Sequence, residues 1–249
     1  MSKYIESQVL SRIKQILSSD LGAVDYTNLD DNKIKKFKDC VLGMKRSENE
    51  KEFPDFINGD SFMELFLVSS SKETRKGSKY EIKHAEFERD FKRRINDLAI
   101  ESKSGNIVEV FSYLDVNHQF LLESIKNNCK NHFDKRINEI KNYKGLKICV
   151  LYYRENSLIS IDSESKKARY KISEDKCALE GIQEYKNVLD YFAFLNDNFL
   201  EIIALKNINE LSDNNINQKE YDFNKNSEEI NIGICDTVSD WEIKGITFD

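Results

Sequence analysis

The stretch PDFINGDSFMELFLVSS, residues 54–70, sets the only proline of the chain directly before an aspartate and buries a second acid, Glu64, inside an apolar run. A carboxylate among apolar residues is costly unless it is paired or bound to a metal. Asn58-Gly59 is a favoured two-residue turn between strand-forming flanks, so the stretch reads as a hairpin with Asp55 on one strand and Glu64 on the other, in the strand Phe62 to Val68. Directly opposed residues of a ladder have Cβ atoms roughly 5 Å apart. Two carboxylates held so closely repel, and a hard oxygen-seeking cation, Mg²⁺ or Mn²⁺, would relieve the repulsion. The plainer reading of the same residues makes Asp55 a turn residue and Glu64 a solvent-facing strand position, since alternation puts Phe62, Glu64 and Phe66 on one face.

Pro54-Asp55 followed by a strand-borne acid resembles the PD-(D/E)XK nuclease superfamily over residues 4–153. The resemblance implies a restriction endonuclease-like core that hydrolyses phosphodiester bonds of DNA or RNA, with Asp55 and Glu64 as ligands of Mg²⁺ or Mn²⁺. It also implies a lysine two residues after the second acid, a position held here by Phe66. The cap-snatching endonucleases of segmented negative-strand RNA viruses look similar in carrying that lysine on the helix after the glutamate strand. On that pattern Lys79 comes first and Lys83 second, with Lys72 nearer the strand; those enzymes also have an upstream histidine ligand, whereas no histidine precedes His84 here. Other members use a glutamate of the first helix, and Glu6 is available. A competing parse takes YEIK, with Glu81 and Lys83, as the acid-x-lysine element paired with Asp55, although that stretch carries a helical stripe. Both metal-binding acids must be ionised, so activity should fall at low pH. The alternative from the same resemblance is a catalytically inactive nuclease-fold protein that serves as a binding or interaction module, with Phe66 as the feature that favours it.

The elements that would position these residues follow from periodicity. Ile5, Val9, Leu10, Ile13, Ile16 and Leu17 form one stripe of a first helix, and Lys33 to Met44 is helix or strand. Tyr80, Phe87, Phe91, Ile95 and Leu98 recur at helical intervals after Gly77, ending near Ser102. A β-rich run, Ile107 to Leu114, precedes a second long helix from Phe120 to Tyr143. Leu146 to Tyr153 then has the continuous apolar character of a strand covered on both faces. SLISID and ARYKIS read as short strands, Val188 to Phe194 as helix, Phe199 to Lys206 as strand, and residues 207–231 as a long exposed loop. The fold class is therefore α/β, a central mixed sheet flanked by helices. The nuclease-like core spans residues 1–162, and a C-terminal extension, residues 163–249, packs on it.

Composition narrows the alternatives. At 39% hydrophobic and 33% charged residues the chain is polar but globular, and its net charge of -6 provides no global field for nucleic acid or anionic membranes. Basic residues instead gather locally, from Lys72 to Arg94. Scattered cysteines without CxxC or CxxxH spacing read as reduced thiols, which with the charged N-terminus and the lack of a spanning apolar run points to a cytoplasmic protein without a membrane partner. A homo-oligomer is among the partners this sequence allows. His118 and His132 show no zinc-ligand spacing, His84 falls in its helix's apolar stripe, and Ser69, Ser70 and Ser71 lack a nucleophile-elbow context.

Overall fold

In the computed structural model, which describes residues 3–19, 24–47, 53–74, 77–78, 82–83, 85–87, 89–90, 92–93, 97, 105–111, 117–155, 158–161, 167–196, 199–213, 220–223 and 228–234, the N-terminal stripe forms helix α1 (Lys3–Ser18). Strand β1 (Val24–Thr27) leads to α2 (Asp31–Leu42), so the undecided segment is helical; the Asp30 side chain caps it by accepting the Lys33 N–H. After β2 (Lys45–Arg46) come the hairpin strands β3 (Phe56–Asn58) and β4 (Ser61–Val68). Helix α3 (His118–Phe133), capped by Asn117, precedes β5 (Lys147–Tyr153); α4 (Lys176–Gln183) precedes β6 (Tyr191–Asn196) and β7 (Phe199–Ala204).

These strands make one seven-stranded sheet in the order β1-β7-β6-β5-β4-β3-β2. It is mixed: β4, β5 and β6 run parallel, β7 is antiparallel to β6 and parallel to β1, and β2, β3 and β4 pair antiparallel. The period-2 alternation sends Phe62, Phe66, Cys149, Leu151, Phe192 and Phe194 to one face, against α3 and α4. Met63, Leu65, Ile148, Val150, Ala193 and Leu195 point to the other, against α1 and α2. Both faces are covered, which is why the central strands read as unbroken apolar runs.

Two sequence expectations are corrected here. Val188 to Phe194, read as helix, is turn and then strand β6, because YFAFLN is buried at every position between β5 and β7 and its aromatic content suits a doubly covered strand. Residues 207–231 are not one loop: they hold a helix, Ile208–Asp213, a strand, Glu220–Phe223, that pairs with Leu158–Ile161, and the start of a strand, Glu228–Ile234, that pairs with Gly105–Phe111. The segment read as a C-terminal extension supplies β6 and β7 to the middle of the sheet. Every described position from 82 to 97 is helical, in line with the stripe and against a strand at Ile82-Lys83; Glu81 lies outside the described residues. No helix among the described residues is long and apolar enough to cross a membrane.

Candidate functional site

The hairpin closes one residue later than the Asn58-Gly59 turn would place it. Asn58 pairs with Ser61, so the loop residues are Gly59 and Asp60, with a positive φ of 57° at Gly59 alone; this is the pattern in which glycine takes the first central position. The shift decides the site. With Asn58 and Gly59 as the loop, Asp55 would have faced Phe62; in the observed register Phe56 pairs with Met63, and one further step sets Asp55 opposite Glu64.

Neighbouring elements hold this register. The Gly145 N–H donates to the Asp60 carbonyl at 2.9 Å, Leu146 N–H to Ser61 Oγ at 2.8 Å, and Phe62 N–H to the Leu146 carbonyl at 2.9 Å. From the other side, Asn58 Nδ2 donates to the Cys40 carbonyl at 2.9 Å. A Cβ on residue 145 would lie 2.7 Å from the Ser61 nitrogen, so only glycine admits so close an approach of β5 to the turn.

The two acids are tied to each other and to the backbone. Asp55 N–H donates to Glu64 Oε2 at 3.1 Å, and Leu65 N–H donates to Asp55 Oδ2 at 2.9 Å. Glu64 is buried, its side chain 6% exposed, so the solvent-facing reading of this position is wrong: its face of the sheet is covered by α3. From α3, His132 places Nδ1 3.1 Å from Glu64 Oε1. When the carboxylate is ionised it only accepts, and Nδ1 is then the donor of that bond. Burial pushes the Asp55 carboxyl up to about 7, helped by the charges of Glu64 and Glu6; the Leu65 N–H and His132 oppose the rise.

Glu6, from α1, thus reaches the site through its charge, but its own partner is Arg46, whose Nη2 lies 2.7 Å from Glu6 Oε2. Lys79 lies outside the described residues, as does His84. Lys83 is helical and partly exposed, and Lys72 is exposed; among the described residues neither contacts an acid of the pair. Phe66, in the position the nuclease motif gives to lysine, is buried with its ring centroid 4.5 Å from that of His132 and 5.3 Å from that of Phe133. Cys149 sits beside Glu64 in the ladder, its thiol pushed well up by burial and by its hydrogen bond with Cys129, which leaves the Cys149 sulfur an inert core group.

Ser69 and Ser70, at the end of β4, are donors to a buried carboxylate: both hydroxyls bond to Glu155, and Ser70 N–H reaches its Oε2 at 2.6 Å. His118 pairs with Asp175, the buried cap of α4, which also accepts from Tyr170 at 2.7 Å. The residue that spacing missed is His132. Only its place one position before the buried Phe133 hints at a half-covered side chain, and nothing local links it to Glu64, 68 residues away.

Mg²⁺ in proteins is commonly held by one or two carboxylates, with water and phosphate oxygens filling the remaining positions. The Asp55–Glu64 pair fits such an ion: the acids are adjacent and mutually repelling, and Asp55 Oδ1 accepts from no described donor. Among the described residues no group of three or more His, Cys, Asp or Glu side chains is arranged to hold a metal by itself. No family model, curated protein or solved structure matches the chain.

Proposed function

We propose that the protein is a divalent-metal-dependent nuclease that hydrolyses phosphodiester bonds of DNA or RNA at Asp55 and Glu64. The observation that carries this reading is the pair itself: two acids directly opposed on one hairpin, with Asp55 held near pH 7 by burial and by its neighbour. Structural carboxylates are normally lowered by their partners, whereas like charges packed together are a mark of functional sites. Asp55 and Glu64 would hold Mg²⁺ or Mn²⁺, which when bound polarises a phosphoryl oxygen and lowers the pKa of a water. Leu65 N–H fixes the Asp55 carboxylate, and His132 fixes that of Glu64, so both acceptors are oriented before any ligand arrives. Glu6 acts on the pair at a distance, its charge offset by Arg46.

Titration calorimetry with Mn²⁺ tests the centre: heat is expected from the wild type and none from Asp55→Ala. Cleavage of labelled single-stranded and duplex DNA and RNA in Mn²⁺ tests the reaction, and no product at high protein concentration would reject it. Phe66 favours a second reading, a nuclease-shaped binding module without turnover, because its buried ring occupies the place of the motif lysine. That reading predicts nucleic acid retained uncut.

A further inference from the structure

We propose that the cleft beside the acid pair, with Lys45 at its side, is the track for a single nucleic-acid strand, gripped through its phosphates. The inference rests on the nuclease reading and adds the substrate form and the residue that holds it. The cleft has a volume of about 480 Å³ and is lined by Gly43, residues 45–47 and residues 57–59. It lies between the end of α2 and the β2-β3 edge, and its Ser47 end meets the site directly, where Ser47 N–H donates to the Asp55 carbonyl at 2.9 Å.

Register places its cations. Lys45 pairs with Ile57 and Ile57 with Phe62, so alternation sends Lys45 to the face that carries Phe62 and Glu64. Arg46 pairs with Phe56, points to the other face and is engaged by Glu6. Lys45 is exposed and has no ion-pair partner among the described residues. On the β2-β3 ladder it lies diagonal to Asp55, a separation of about 7–8 Å, within reach of its flexible four-carbon stem from a phosphate next to one held at the acids. A cleft of this volume is in the range of small-ligand sites and matches a nucleotide unit, not a duplex. A lysine on phosphate positions the strand and reads no base, so the grip is sequence-tolerant.

Anisotropy of labelled oligo(dT) on the full chain in EDTA, where no cleavage occurs, measures the grip without the metal. Across roughly 50 to 200 mM salt, Lys45→Gln is expected to lower the slope of log affinity against log salt by about 0.7, the loss of one phosphate contact on a single strand. Lys45→Glu should weaken binding further, and Lys176→Glu, an equal charge change at an exposed position of α4, should leave both quantities at the wild-type value. The proposal is overturned by an unchanged affinity and slope in Lys45→Gln, by a wild type that binds no oligonucleotide, or by tighter binding of duplex than of single strand. The Mn²⁺ titration reads the acid pair separately: its loss in the wild type with oligonucleotide binding intact would remove the metal centre and leave the cleft.

Discussion

Replacing Asp55 with Asn should make the protein more stable, and increasingly so as pH rises. Burial and the neighbouring acids carry the Asp55 carboxyl from an ordinary 3.8 to about 7 in the folded chain. A folded-state value raised above the unfolded one contributes stability that is fully present below the unfolded pKa and is lost as pH climbs through the folded one. Between these limits the unfolded chain releases a proton that the folded chain keeps, so the slope of stability with pH is negative. At about 1.4 kcal/mol per pH unit the ceiling is about 4 kcal/mol, and screening at a partly exposed group brings the figure to about 2 kcal/mol. Asn retains an oxygen for the Leu65 N–H, so the substitution removes charge while keeping the hydrogen bond. Urea unfolding at pH 5 and pH 8 is the assay; about two of the three pH units of the window lie between them, so the advantage of Asp55→Asn over wild type is expected to widen by about 1 kcal/mol. At pH 8, Mn²⁺ should then stabilise the wild type and leave the variant unmoved. A variant equally or less stable at both pH values would refute the argument, since no trapped repulsion would be present to relieve.

Mn²⁺ affinity should fall about tenfold for each pH unit below 7, because the ion must displace the Asp55 proton, and titrations at several pH values measure it. Gly145→Ala should cost about 2 kcal/mol or more in urea unfolding, since the added carbon meets, besides the Ser61 hydroxyl, the Ser61 nitrogen at 2.7 Å and the Asp60 carbonyl carbon at 2.8 Å, backbone atoms that cannot swing away. That variant should also weaken Mn²⁺ binding by loosening the turn that sets Asp55 against Glu64. Glu155→Ala should cost about 1–3 kcal/mol in the same assay while leaving Mn²⁺ binding intact, because it strands the buried Ser70 N–H at the ends of β4 and β5, away from the acid pair, while the Ser69 and Ser70 hydroxyls keep Ser71 and Tyr153 as partners.

The fold class was legible because its signals are local and strong. The stripe of α1, the continuous apolar run of β5 and the break at Gly145 each specify an element without reference to the rest of the chain. Val188 to Phe194 misled because a short apolar run has no period of its own once both faces are buried; what settles it as a strand is pairing with β5 and β7, and pairing is a long-range fact. The same reason hid the strand Glu220–Phe223 inside a polar stretch.

The acid pair was legible as two residue types and illegible as a geometry. Asn58-Gly59 is the stronger local turn, yet that turn would have set Asp55 against Phe62 and left Glu64 one step along the same face. The chain takes the Gly59-Asp60 turn because Gly145, Leu146 and the Cys40 carbonyl bind the hairpin at Asp60, Ser61 and Asn58, and these three contacts come from the two residues that lead into β5 and from α2. A one-residue preference in the turn was thus overruled by tertiary hydrogen bonds, and it is this displaced register that brings two carboxylates into opposition. His132 enters by the same route, carried to Glu64 by the packing of α3 on the sheet. The chemistry of the site is therefore a property of how β5 and α3 seat the hairpin, and a change at Gly145 should disturb Asp55 as surely as a change at Asp55 itself.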